Sequence, residues 1–317
     1  MLGLTNSLNV RAKEFSVNTR GRVSSTLVNK GSNIGLGLAT GGYYLVFIIN
    51  SFLKAIPVLW VQNWSKVEQV FRIPSSFGNV RLMLRKYWDY PAYMLPGNFL
   101  SKLSMKAPFL LFSGLYGLEI AGSYLFASAM LSIPIQLVGG AVRPVFLQRA
   151  NALFQKGNKE ALKRLTAGTN YALYFSGLLP FALLTVFGQE IFAWVFSAEW
   201  RQAGLMAQYL SIYYLFMLAS SPLSALYRIS NREKDSFITQ IVLFLSRVVP
   251  LIIGLTYFDV PTALLFLTVG NMVGYFFHFY QMTNIANSGF WKPLIIELSI
   301  FMVFTFLCLL WKQWIGE

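Results

Sequence analysis

Residues 94–115 read MLPGNFLSKLSMKAPFLLFSGL. The stretch is long enough to cross a hydrocarbon layer, which takes roughly 20 mostly apolar residues, yet it carries two lysines and no acid. A lysine at a helix centre costs about 2.5–3.5 kcal/mol on the insertion scale, while each large apolar residue returns about 0.3–0.6 kcal/mol. Two such cations cancel most of the gain, so the helix has to turn them toward protein or a water-filled cavity. Asn98, Lys102 and Lys106 recur every four residues and share a helix face. Lys106 lies about 18 Å along the helix from residue 94, near the midplane and too deep to snorkel easily, whereas Lys102 can reach the headgroups.

Working outward, similar windows occur at 23–40, 42–61, 120–141, 166–188, 205–226, 237–257, 262–283 and 294–312. The expected fold is therefore all-α, a polytopic transmembrane helical bundle of about nine spans. The window 23–40 is rich in Ser, Asn, Thr and Gly and is assigned chiefly because its flanks require a crossing. Those flanks alternate in charge. Segments 11–22, 62–90, 143–165, 228–235 and 284–292 hold 19 Lys and Arg, against 2 in the intervening connections and the tail. That asymmetry predicts a cytoplasmic N-terminus and an external C-terminus. Segment 143–165 reads as an amphipathic surface helix broken at Gly157-Asn158.

Composition agrees with this class. Charged residues make up 12% of the chain, about half the usual share of a soluble domain, and the mean hydropathy is +0.54. The net charge of +14 sits in short clusters between apolar runs, which sets no continuous basic face for nucleic acid. One cysteine, Cys308, and one histidine, His278, exclude a disulfide framework and Cys- or His-rich metal sites. Residues 1–22 show no apolar core of a signal peptide.

Enzyme signatures are missing: there is no G-x-x-x-x-G-K-[ST], H-E-x-x-H, G-x-S-x-G or paired-cysteine motif. No catalytic residue, metal or cofactor is expected. Gly35-Leu36-Gly37-Leu38-Ala39-Thr40 half-resembles a dinucleotide loop but has no βαβ context. Gly31…Gly35, Gly37…Gly41 and Gly270…Gly274 instead have the G-x-x-x-G spacing that lets membrane helices approach closely. Prolines at 57, 108, 134, 180, 222 and 250 permit kinks inside apolar spans. Besides Lys102 and Lys106, the spans contain Lys54, placed to snorkel, Lys30, close to central, and Arg247, central in 237–257. Glu297 is the one acid in any span, so the deep cations outnumber possible partners. Lys102, Lys106, Arg247, Lys30 and Asn98 are thus candidates to line a cavity for an anionic substrate, with bonding to helix carbonyls as the structural alternative for Lys106 and Arg247. His278 is a minor candidate for a proton relay.

Several stretches resemble bacterial polysaccharide-biosynthesis flippases of the multidrug/oligosaccharidyl-lipid/polysaccharide exporter superfamily. They are Tyr90-Pro91-Ala92-Tyr93, Ala107-Pro108, Ala121-Gly122-Ser123-Tyr124, Ser132-Ile133-Pro134-Ile135 and Arg143-Pro144-Val145-Phe146-Leu147. Phe187-Gly188-Gln189-Glu190-Ile191-Phe192, the run Val195-Phe196-Ser197-Ala198-Glu199-Trp200-Arg201-Gln202-Ala203-Gly204 and Ser220-Ser221-Pro222-Leu223-Ser224 continue the likeness, which covers about residues 11–285. Proteins of this kind have two six-helix lobes facing a central cavity. The resemblance implies a partial first lobe at 1–61, beginning with the tail of a helix, and a cytoplasmic linker at 62–90. It implies a complete second lobe at 91–285 and a terminal span at 286–317. About four N-terminal helices of the family pattern are missing, as in a truncated or split reading frame.

The implied function is translocation of an undecaprenyl-pyrophosphate-linked O-antigen or capsule repeat unit across the bacterial inner membrane by alternating access. The implied partners are that lipid-linked anionic oligosaccharide, membrane lipids and other polysaccharide-assembly membrane proteins. A cation-coupled multidrug exporter of the same superfamily is the alternative, although it favours cavity carboxylates. A nonfunctional or scaffold membrane remnant is another, and a glycan polymerase lacks visible catalytic groups.

Overall fold

The computed structural model describes Leu82, Met83, Arg85, Lys86, Trp88 and residues 90–316. The chain divides into two compact units, Met1–Arg85 and Lys86–Glu317. The windows 23–40 and 42–61, with Lys30, lie outside the described residues. Every regular element among the described residues is a helix. A π-helical turn, Tyr90–Met94, leads into α1 (Leu95–Pro134), and a second, Ile135–Gly139, joins α1 to α2 (Gly140–Gln155). Then follow α3 (Lys159–Val195), α4 (Arg201–Ser220), the short α5 (Ala225–Ile229), α6 (Glu233–Tyr257), α7 (Val260–Ala286) and α8 (Trp291–Gly316).

Among the described residues, six helical stretches are long and apolar enough to cross a membrane. The first, Pro91–Gln155, has 65 residues, which at 1.5 Å per residue is about three times the hydrocarbon thickness. It does not run straight. Gly117, at φ 85° and ψ 175°, breaks α1 in a conformation that suits a residue without a Cβ. Contacts on either side show a hairpin. Tyr93 packs on Phe237 at the start of α6, and the Tyr116 hydroxyl donates to the Leu255 and Phe258 carbonyls at its end. Beyond the turn, Phe126 meets Phe192, Phe196 and Trp200, and Gly139 returns to Ser221 and Pro222. The seven predicted windows from 94 onward all fall on these helices, with 94–115 and 120–141 on the two arms of the hairpin.

The hairpin distinguishes the two ends of the bundle. At one end, Phe146 and Ala150 of α2 pack with Leu162, Leu223, Leu226, Phe279 and Met282. The basic residues of 143–165 and 228–235 and Lys292 belong to this end. The predicted break at Gly157-Asn158 is present. Gly157 takes φ +66° after α2, and the Asn158 side chain accepts from the Ala161 amide at 3.0 Å to start α3. At the opposite end, the Phe-Ser-x-Glu-Trp motif forms the turn between α3 and α4, with the Trp200 ring 4.0 Å from that of Phe126. Asp259 caps α7 there, and the Thr262 side chain helps hold its carboxyl below the usual carboxylate range.

Helix α4 is the most enclosed: its apolar window is 72% buried, against 17% for α8. The core around α4 includes Phe112, Leu173, Phe181, Leu210, Leu215 and Leu264. Large apolar side chains that face outward, such as Leu118, Val269, Met302 and Phe306, are what lipid-facing helix surfaces require. The last helix, α8, lies along α3 and belongs to the same compact unit as the helices before it.

Candidate functional site

A cavity of about 370 Å³ opens among α1, α2, α4–α5, α6 and α7. Helical period explains its walls. On α6 the lining residues Glu233, Ser236, Gln240, Leu243 and Arg247 step by three and four, so one face is turned inward over nearly four turns. On α1 the inward face carries Gly97, Asn98, Ser101 and Ser104. Arg143 of α2 and Arg228 of α5 stand at the basic end, close enough for their charges to repel. Neither has an ion-pair partner among the described residues.

Arg247 lies deeper, 6% exposed. Its Nε donates to Asn271 Oδ1 at 2.7 Å and its Nη1 to Ser104 Oγ at 3.1 Å. Close packing of α6 on α7 makes the first bond possible. A methyl group at Gly270 would run into the Ser246 carbonyl, and one at Gly274 into the Ser246 hydroxyl. This G-x-x-x-G face brings Asn271 within reach of α6. Tyr124, Tyr213, Tyr214 and Tyr275 surround the guanidinium at electrostatic range, and no carboxylate among the described residues pairs with it. A guanidinium has five N–H donors, so bonds to Asn271 and Ser104 leave others for an acceptor in the cavity. His278 lines the same space, its Nδ1 3.4 Å from the Tyr227 hydroxyl, which in turn lies 2.6 Å from Thr239 Oγ1.

The structure thus brings Asn98 and Arg247 to one cavity. Lys102 and Lys106 are exposed and are not part of its lining. The reason is geometric: each four-residue step overshoots a full turn by about 40°, so a stripe that starts at Asn98 on the rim drifts away. The inward face continues through Ser101 and Ser104 instead. Sequence reasoning missed Arg143 and Arg228, which it assigned to cytoplasmic connections, and the four tyrosines around Arg247. Apart from the adjacent Tyr213 and Tyr214, no spacing in the chain joins these groups, because they come from five different helices.

The chain belongs to a family described as polysaccharide biosynthesis protein, whose model matches residues 2–205. No curated protein matches it. Among solved structures it is similar to the crystal structure of a MATE mutant, with a TM-score of 0.63 over 83% of this chain and 14% sequence identity. The chain spans 61% of that protein's length. The architecture is a MATE-like helical fold, in a multi-pass membrane protein.

Proposed function

We propose that this protein is a flippase for an undecaprenyl-pyrophosphate-linked oligosaccharide, an O-antigen or capsule repeat unit, and moves it across the bacterial inner membrane by alternating access. The observation that carries this reading is the charge of the cavity: Arg143, Arg228 and Arg247 line it against the single acid Glu233. Arg247, 6% exposed, attracts a diphosphate far more strongly in its partly dehydrated setting than a water-exposed cation does, and Arg143 and Arg228, exposed at the basic end, add to the field that draws the anion in. Bidentate guanidinium forks also match phosphate oxygens. Seryl, asparaginyl and glutaminyl side chains along α1 and α6 supply hydrogen bonds for sugar hydroxyls. The volume, about 370 Å³, is at the small end for ligand pockets. It suits the diphosphate and the first sugar, with the rest of the glycan outside and the lipid tail in the bilayer.

Translocation needs no covalent chemistry: rocking between two states exposes the bound headgroup to one side and then the other. With the basic end cytoplasmic, as the positive-inside rule directs, Arg143 and Arg228 meet the headgroup first and Arg247 receives it deeper. Lys102, Lys106 and Lys30 remain proposed contributors to the attraction of the anion.

The test is uptake of lipid-linked oligosaccharide by proteoliposomes, comparing a pyrophosphate-linked substrate with a neutral glycolipid of the same sugar. Selectivity for the pyrophosphate that is lost in the Arg143→Ala, Arg228→Ala variant supports the proposal. Equal transport of both lipids by the unaltered protein overturns it.

A further inference from the structure

Away from the cavity, the contact between α3 and α8 contains an unusual set of polar atoms. Glu297 of α8 is 1% exposed, and its Oε1 has no hydrogen-bond partner. Asn170 of α3 is 2% exposed, and its Oδ1 also has none. The two belong to the same interface: the Tyr174 hydroxyl, one helical turn beyond Asn170 on the same face, donates to the Glu297 carbonyl. Side chains on a helix lean toward its N-terminus, so the carboxyl leans from that level toward the turn of α3 that holds Asn170 and Tyr171, and its charge acts on Tyr171.

Two buried acceptor oxygens without a donor are costly, and an unpaired carboxylate in hydrocarbon costs far more. No lysine or arginine among the described residues pairs with Glu297. The titratable groups that face it are Tyr171 and Tyr174 of α3. On α8 itself, Lys292 is exposed at the basic end and Lys312 pairs with Glu190 at the other. Among the described residues no group of three His, Cys, Asp or Glu could hold a metal ion. A single proton removes the conflict, because it neutralises the carboxyl and converts one acceptor into a donor.

We propose that Glu297 is a proton-binding site that fastens α8 to α3. With the proton bound, α8 docks. When the proton returns to water, the carboxylate is no longer tolerated at the interface and α8 loosens. Glu297 lies only about 9 Å along the helix from Trp291, so a loosened α8 lets the carboxylate reach the headgroups of the basic end. The outer face of α8, with Met302 and Phe306 exposed, already tolerates lipid, so such movement exposes little that is new. The linkage has a definite sign: a proton held only by the docked form stabilises docking at low pH, and that stabilisation is lost as pH rises.

Cys308 reports docking without an added label. It is the sole cysteine of the chain, 9% exposed, and lies about three turns beyond Glu297 on the same face of α8. The experiment follows alkylation of Cys308 by a small membrane-permeant maleimide across pH, in the full chain and in Glu297→Gln. The variant carries the ordinary ionisation of the thiol, so the ratio of the two rates isolates docking. The expected ratio is near unity in mild acid and rises with pH by up to about tenfold per unit, the limit for one linked proton. Identical pH profiles for the two proteins overturn the proposal. Should Glu297→Gln not accumulate, infrared spectroscopy provides the second measurement, in a Glu233→Gln background because Glu233 is the other buried carboxyl among the described residues. A protonated-carboxyl C=O band at neutral pH, lost on alkaline titration as Cys308 becomes reactive, is expected. Absence of that band at neutral pH overturns the proposal.

Discussion

Arg247 and Glu297 are both ionisable side chains buried in apolar helices, 6% and 1% exposed, and the fold treats them in opposite ways. Around Arg247, three helices converge: Asn271 and Ser104 accept its N–H groups, and four tyrosines crowd the charge. Around Glu297 only α3 presents a substantial surface, Tyr171 and Tyr174 are the titratable groups that face the carboxyl, and its Oε1 has no hydrogen-bond partner. A cation with fixed dipoles on several sides can remain charged while it waits for an anion. A buried carboxyl with an unpartnered oxygen and no cation beside it is neutral at little cost and charged at great cost. The difference separates a place that binds a substrate charge from a place that binds a proton.

The comparison breaks most completely at Gly270. A larger side chain there meets the Ser246 backbone carbonyl, which cannot swing aside as a side chain can. Gly270→Leu should separate α6 from α7 and remove Asn271 from Arg247, so that little monodisperse protein survives detergent extraction and size-exclusion chromatography. A well-behaved Gly270→Leu protein with unchanged substrate affinity would show that the Arg247–Asn271 bond does not depend on this close approach.

Residue pattern made this packing legible, since Gly270 and Gly274 carry the spacing of a close helix contact. It also revealed the break at Gly157-Asn158 and the apolar windows from 94 onward, which fall on six membrane-length helical stretches among the described residues. The site was less legible for a physical reason. A stripe at i, i+4 shares a face only over a short distance, so Asn98 stays at the cavity while Lys102 and Lys106 rotate off it. The partners of Arg247 come from residues 104 and 271, far apart in the chain, and Arg143 and Arg228 looked like ordinary topology signals. That the Glu297 carboxyl is buried against α3 with an oxygen left unpartnered is likewise a fact of packing that composition does not hold.

Next in size is removal of the guanidinium. Arg247→Leu leaves Asn271 Oδ1 and Ser104 Oγ without their donor, at about 1–3 kcal/mol for each buried group left unsatisfied. Thermal unfolding in detergent should therefore begin several degrees lower. The triple variant Arg247→Leu, Asn271→Leu, Ser104→Ala should recover much of that loss while binding the pyrophosphate lipid no better. Recovery of binding together with stability would make Arg247 a structural residue only.

At Glu297 the expected stability change is smaller and depends on pH. Glutamine reproduces the neutral shape, so Glu297→Gln should melt within about 0.5 kcal/mol of the parent in mild acid, as a near-isosteric change usually does. In mild alkali the parent should fall below the variant, because only the parent has a proton to lose. Parallel melting curves across the whole pH range would remove the contrast with Arg247.

The smallest effects are expected at Lys102 and Lys106, and their sign is informative. Both are exposed on α1 beside the cavity, and they stand four residues apart with like charge, an arrangement that costs about 0.2–0.5 kcal/mol on a helix surface. Replacing Lys106 by Ala relieves that repulsion and removes a cation from an apolar segment. Stability should therefore stay level or rise slightly, unlike the loss at Arg247. Transport should fall only modestly, through a weaker long-range pull on the anion, and the fall should shrink as salt is added because exposed charges are screened within about 8–10 Å. Arg247 is buried in the cavity, where screening is weaker, so the transport defect of Arg247→Leu should persist at the same salt. A salt-resistant loss of transport in Lys106→Ala, as large as that of Arg247→Leu, would return Lys106 to the substrate path and place the anion on the lysine side of α1.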